Sequence, residues 1–283
     1  MPVGPVIDTH LHLWDPKLIR YPWLDDNALL NRPYLLEHYR GATASIPIES
    51  MIFVQCEADF SAFEAEAAWV AELAKTEPRI KGLVAWAPLE KGGAVRADLE
   101  RLKQHSILRG IRRIVQFEPD LDFCLRPDFI EGVRALKDFD LSFDICIDHR
   151  HMANILKFAE RIADVPMVLD HIGKPAIRDG VTHPWADRLR ELARFPHVSC
   201  KISGVATEAD HRRWTSGELK PYIEVAIEAF GFDRILFGGD WPVSTQAIDY
   251  RRWVELLDEV MAGVRESERS KFWRHNAARF YRV

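Results

Sequence analysis

Met51-Ile-Phe-Val-Gln55 is a nearly continuous apolar run; Ser61–Thr76 follows with apolar residues at helical spacing, and then comes a second apolar run, Gly82-Leu-Val-Ala-Trp-Ala87. Continuous apolar runs of this length suit parallel strands buried on both faces, and the switch of period from two to about 3.6 marks a strand-helix-strand unit. The unit repeats in both directions. Strands are predicted at Val3–Thr9, Met51–Gln55, Gly82–Ala87, Leu108–Val115, Leu141–Ile147, Pro166–Leu169, His197–Ile202 and Arg234–Phe237. From the second strand onward a helix follows each, over Ser61–Thr76, Gly93–His105, Asp128–Asp138, His151–Asp164, Pro184–Phe195, Gly217–Phe230 and Tyr250–Ala262. In the last of these, Trp253, Leu256, Leu257, Val260 and Met261 form one apolar stripe. Eight alternations predict an α/β fold, a closed (β/α)8 barrel of the TIM type formed by residues 1–283 as one domain. No G-x-G-x-x-G follows the first strand, which argues against a dinucleotide-binding sheet.

The first βα connection, Leu11 to about Ile48, is unusually long and carries Trp14, Tyr21, Trp23, Tyr34 and Tyr39. Such a loop reads as an ordered lid over the barrel mouth, with a sealing subdomain at the barrel bottom as the alternative. Glu268–Tyr281 reads as an added helix with Phe272, Trp273, Ala277 and Phe280 inward.

The 38 basic and 43 acidic residues give a net charge of -5, with no like-charge run of the kind that binds nucleic acid or an anionic membrane. The expected partner is a small molecule. No leader pattern or span-length apolar stretch is present in the sequence, so the expected compartment is the cytoplasm. Four cysteines, Cys56, Cys124, Cys146 and Cys200, lack C-x-x-C spacing and read as buried thiols. A homodimer is the default assembly for a soluble enzyme.

In a (β/α)8 barrel, functional groups sit at the C-terminal strand ends. Strand one ends in Asp8-Thr-His-Leu-His12, where alternation turns His10 and His12 to one face, able to chelate a cation or grip an anion. Strand two ends at Cys56-Glu57, strand five at Asp148-His149, strand six at Asp170-His171 and strand eight at Gly239-Asp-Trp241. His171 and Asp240 read as functional rather than as a satisfied buried pair. Glu57 and His149 are equally compatible with a surface loop, and Trp86 and Trp241 with core packing. His38, His105, His197, His211 and His275 read as structural.

The strings Val6-Ile-Asp-Thr-His-Leu-His-Leu-Trp-Asp-Pro16, Tyr21-Pro-Trp-Leu24, Leu169-Asp-His-Ile-Gly-Lys-Pro175, Cys200-Lys-Ile-Ser-Gly204, Phe237-Gly-Gly-Asp-Trp-Pro-Val243 and Asn276-Ala-Ala-Arg-Phe-Tyr281 together span most of the chain. In combination they resemble the amidohydrolase-2 family, and within it the sugar-lactonase branch of L-fuconolactonases and L-rhamnonolactonases. The resemblance implies a distorted (β/α)8 barrel and a hydrolase acting on a carboxylic ester, here a lactone of carbohydrate metabolism. It matches His10 and His12 to the family's strand-one pair, His171 to its strand-six histidine and Asp240 to its strand-eight aspartate. It implies that His10, His12, His171 and Asp240 could hold one divalent metal, zinc or manganese, although some members of the branch work without one. Two-metal members use a modified lysine on a central strand. Strand four here, Arg109-Gly-Ile-Arg-Arg-Ile-Val115, has no lysine, which argues against a binuclear centre.

Lactone opening needs a base for water, a stabiliser for the carbonyl oxygen and an acid for the leaving alkoxide. Asp240 is expected to take both proton roles, with His171, Arg112 and Arg113 as candidates to polarise the carbonyl or anchor hydroxyls. Alternation lets only one of the adjacent arginines enter the barrel easily, and Arg112 is favoured over a surface ion pair. Tyr21, Trp23, Trp86 and Trp241, mixed with Glu57, Lys174 and Lys201, would suit a compact polyhydroxylated ring, His149 standing nearby. Two rivals remain: a metal-dependent decarboxylase of aromatic acids on the same barrel, and a barrel that binds a sugar acid without turning it over.

Overall fold

The computed structural model describes residue 2 and residues 4–283. Eight parallel strands pair in sequence order, β1 (Val6–Leu11), β2 (Ile48–Val54), β3 (Ile80–Ala85), β4 (Leu108–Arg112), β5 (Ser142–Ile145), β6 (Met167–Leu169), β7 (Val198–Ile202) and β8 (Ile235–Phe237). The ring is closed more lightly. β8 meets β1 at a parallel bridge between Leu11 and Trp241, flanked by Asp240 N–H donating to the His10 carbonyl at 2.8 Å and His12 N–H to the Trp241 carbonyl at 2.8 Å.

Helix α1 (Leu36–Ala42) lies inside the first connection. Around the barrel, α2 (Phe63–Thr76), α3 (Arg96–Leu102), α4 (Pro127–Ala135), α5 (Met152–Arg161), α6 (Trp185–Leu192), α7 (Ser216–Phe230) and α8 (Tyr250–Val260) follow β2 to β8. Trp253, Leu256 and Leu257 of α8 are buried, as its stripe predicts. Among the described residues no helix is long and apolar enough to cross a membrane.

The boundaries differ from the sequence reading in informative places. Of the expected first strand, Val3 lies outside the described residues, and β1 runs on to Leu11, so His10 sits within the strand. β4 ends at Arg112 rather than Val115, because the next residue, Arg113, turns outward to ion-pair with Glu90 and Glu118. The single helix expected over Glu268–Tyr281 is two, α9 (Glu266–Ser270) and α10 (Asn276–Tyr281), joined by a wider π turn at Lys271–His275. That turn shifts the phase, so Tyr281 is fully buried and Phe280 only partly.

The barrel interior explains this plug. Ile7, Ile52, Val54, Val84, Val168 and Leu236 form an inner apolar cluster with Ala277 and Tyr281 of α10. The Tyr281 hydroxyl then donates to Asp144 Oδ2 at 2.8 Å, reaching a buried charged layer that lies between that cluster and the barrel mouth.

The long first connection is ordered by its aromatic residues. Trp14 stands edge-on to Trp23 and Tyr34, and its indole N–H donates to the Arg32 carbonyl at 2.9 Å. Trp23 donates to the Cys56 carbonyl at 2.7 Å, tying the loop to the end of β2.

Candidate active site

His10 and His12 leave the end of β1 toward the same interior, their ring centroids 4.9 Å apart and nearly perpendicular. His12 Nδ1 lies 2.7 Å from the Val54 carbonyl, which can only accept, so the proton sits on Nδ1 and Nε2 keeps its lone pair. That Nε2 faces Asp240 Oδ1 at 3.6 Å, while His10 Nε2 faces the same oxygen at 3.8 Å. His171, from the end of β6, places its ring centroid 4.5 Å from that of His10, with Nδ1 2.9 Å from the Ser203 hydroxyl. The expected four thus converge in one place.

The backbone there is unusual. Glu57, His171, Lys174 and Asp240 all hold positive φ, between 44° and 53°. Non-glycine residues adopt that region rarely and cluster in it at functional sites. Gly204 (φ +57°) fits beneath them; a Cβ there would lie 2.6 Å from His171 Nδ1 and 2.9 Å from Asp240 Oδ2.

The enclosure lowers the carboxyl of Asp240 and the three imidazoles alike, for opposite reasons. Burial pushes the Asp240 carboxyl up, but His171, His12 and His10 outweigh it and hold it well below the usual carboxylate range. Burial drives His10 well below the ordinary histidine value despite Asp170, and drives His171 down to about 4. His12 is lowered for the same reason.

A charged layer supports them. Lys201, fully buried, pairs with Asp144 at 2.6 Å and Asp170 at 3.1 Å, and Asp170 Oδ1 lies 3.4 Å from His10 Nδ1. Arg112 reaches inward from β4: Nη1 is 3.2 Å from His10 Nε2 and 3.3 Å from Asp170, and Nη2 donates to the Gln55 carbonyl at 2.6 Å.

Above this floor opens a cavity of about 510 Å³. His12, His171, Asp240, Arg112, Glu57 and Lys174 supply its polar lining, and Trp14, Trp23, Phe60, Ile114, Phe117 and Val243 much of its apolar wall. Burial raises the Glu57 carboxyl against the opposing pull of Gln55, whose side-chain amide donates to it at 2.7 Å.

Several expected wall residues stand outside this lining. Tyr21 is buried behind Trp14, its hydroxyl turned toward Glu66. Trp86 is screened by Phe60, stacked on it at 5.0 Å. Trp241 packs edge-on against Tyr34 and Tyr39 of the first connection. Arg113 is held on the outer side by Glu90 and Glu118. Lys201 is consumed by its two carboxylates. His149 acts at one remove: its backbone N–H and Nδ1 both meet the Lys174 carbonyl at 3.2 Å. Sequence reasoning missed Phe60, Gln116, Phe117 and Thr207, which line the cavity from connections after the strands, Phe60 and Thr207 within short 3-10 turns. Ser203 and Gly204 stood in the quoted Cys200–Gly204 string, but only their contact with His171 gives them meaning.

The donor set suits a divalent cation. His10, His12 and Asp240 offer ligand atoms all within 4.8 Å of one another, and His10, Asp170 and His171 form an overlapping set. His12 is held in the tautomer that ligation requires, and its backbone partner fixes the ring. His171 belongs to the second set, which shares His10 with the first.

Comparison with known proteins agrees with this geometry. The chain is 33% identical to an L-fucono-1,5-lactonase of Burkholderia multivorans, over 97% of this chain and 95% of that one. It is 21% identical to an L-rhamnono-gamma-lactonase of Scheffersomyces stipitis, over 98% of both. A crystal structure of a Burkholderia multivorans amidohydrolase with bound zinc superposes with a TM-score of 0.89 at 33% identity, covering 99% of this chain and all of that one. The model of the amidohydrolase family matches residues 7–283, and with the barrel, the strand-end histidines and the strand-eight aspartate on one rim, the chain belongs to that family.

Proposed function

We propose that this enzyme hydrolyses the lactone of a sugar acid, of the L-fucono- or L-rhamnonolactone kind, with Asp240 as both general base and general acid. The observation that carries the reading is the convergence of Asp240, His12, His171 and Arg112 on one cavity of about 510 Å³ at the barrel mouth. The 33% identity to an L-fucono-1,5-lactonase supports the substrate class.

Asp240 removes a proton from water as the water oxygen adds to the lactone carbonyl carbon. The carbonyl electron pair moves onto oxygen, where the Arg112 guanidinium and the His171 ring face the new charge. Collapse breaks the bond to the ring oxygen, and the departing alkoxide takes the proton back from Asp240. The product is a hydroxy acid, whose ionisation releases one proton per turnover at neutral pH. Glu57 and Lys174 meet ring hydroxyls, and Trp23 covers the apolar face of the ring. When His10, His12 and Asp240 hold a divalent ion, that ion supplies Lewis-acid polarisation.

A pH-indicator assay against a panel of aldonolactones, 2-pyrone carboxylates and aromatic acids tests the proposal. The expected result is acid release from a 6-deoxy-aldonolactone. Carbon dioxide release from an aromatic acid, with every lactone left intact, would sink it.

A further inference from the structure

Arg112 Nη1 stands 3.2 Å from His10 Nε2, and a guanidinium can only donate, so a hydrogen bond between them uses the Nε2 lone pair. The other nitrogen, Nδ1, lies 3.4 Å from Asp170 Oδ1 and 3.3 Å from the Lys201 ammonium, so each ring nitrogen of His10 has a buried protein cation against it. A neutral imidazole has one in-plane lone pair. On either nitrogen of His10 that lone pair meets a protein cation, and on Nε2 that cation is Arg112.

Nε2 is also the His10 atom that faces Asp240 Oδ1, at 3.8 Å, in the ligand set with His12 and Asp240. We infer that the Arg112 guanidinium and a divalent metal are mutually exclusive occupants of His10 Nε2, so that the arginine is a built-in cation holding metal affinity down. Arg112 is not a loose side chain that a metal could brush aside. It is 3% exposed, bonded to the Gln55 carbonyl at 2.6 Å and paired with Asp170 at 3.3 Å. A metal bound at His10 must break the Arg112 contact and then tolerate a fixed positive charge nearby. Arg112 also pairs with Asp170, which shares Lys201 with Asp144, so the guanidinium is held within this charged layer.

The test measures metal affinity, with no substrate present, so its failure leaves the lactonase reading standing. The full chain is stripped with a chelator, and the zinc Kd is obtained by competition with a chromophoric chelator. Wild type is compared with Arg112→Met and with Arg112→Gln, the latter able to keep a hydrogen bond to the Gln55 carbonyl. Folding is checked by circular dichroism. Either folded variant should bind zinc about tenfold or more tightly than wild type. Equal or weaker binding by a folded variant overturns the inference. Should neither variant fold, a zinc-soaked crystal of the wild type decides. The expected result is that any zinc bonded to His10 Nε2 finds Arg112 Nη1 withdrawn beyond hydrogen-bond distance, or that no zinc reaches His10. Zinc on His10 Nε2 with Arg112 still at its present distance would overturn it.

Discussion

Asp240 Oδ1 lies 3.6 Å from His12 Nε2, and His12 reaches that position with its other nitrogen already committed to the Val54 carbonyl. The carboxylate therefore faces a lone pair rather than a proton, and stays free to accept one from water. Asp240→Asn keeps the shape and removes the proposed base. Turnover of the best lactone should fall by about a thousandfold, within the range typical of a lost general base, with the melting temperature little changed. Wild-type rates in that variant would remove Asp240 from the chemistry.

Gly204 offers a second test, one that does not touch an ionisable group. Alanine there must carry a left-handed backbone, at a cost of roughly 1–2 kcal/mol, and its Cβ would press on both His171 and Asp240. Activity of Gly204→Ala should drop by well over tenfold even at temperatures where the variant is fully folded. Activity that merely tracks the folded fraction would mean that the two side chains can shift at no catalytic cost.

Glu66 gives stability a pH dependence. Burial pushes its carboxyl up to about 7 despite the hydrogen bond from Cys56 N–H, against an ordinary value of 4.5. The folded chain therefore holds this proton more tightly than the unfolded chain. The contribution is complete below pH 4.5 and is lost as pH rises through about 7. Glu66→Gln should gain roughly 3 kcal/mol on wild type between about pH 4 and pH 8.5, read by urea unfolding at each pH. A difference that stays constant with pH would show that the carboxyl ionises normally.

Lys201 balances two fully buried carboxylates, Asp144 and Asp170. Lys201→Met should cost about 3–5 kcal/mol, because it leaves buried charge without its partner. Tyr281→Phe removes only the hydroxyl donor to Asp144 and should cost roughly 1.5–3 kcal/mol. Chemical denaturation of both variants checks the order; a larger loss for Tyr281→Phe would mean that the lysine is not the main counter-charge.

The barrel was legible because each strand buried on both faces writes an apolar run, and each helix writes a stripe. His10, His12, His171 and Asp240 were legible for a related reason: an ionisable residue that follows an apolar strand has little choice of where to go. Strand alternation also separated Arg112 from Arg113. Loop residues obey no such period. Phe60 and Phe117 enter the cavity wall, and Trp86 and Trp241 stay behind it, for reasons of loop packing that no local pattern records. Lys201 shows the limit from the other side: a lysine inside a strand reads as a wall residue until its two carboxylate partners, far off in sequence, are known. The phase shift that buries Tyr281 instead of Phe280 depends on one π turn, which apolar spacing alone does not reveal.

The light closure between β8 and β1 ties the molecule's integrity to its chemistry. The backbone bonds that fasten the last strand to the first belong to His10, His12, Asp240 and Trp241, and the Asp8 carboxylate adds a clasp by accepting Gly239 N–H at 2.8 Å. If this clasp opens during thermal breathing, Asp240 and the imidazoles part company before the remaining seven strand pairings are disturbed. Heating should therefore silence the enzyme while most of its ring is still zipped.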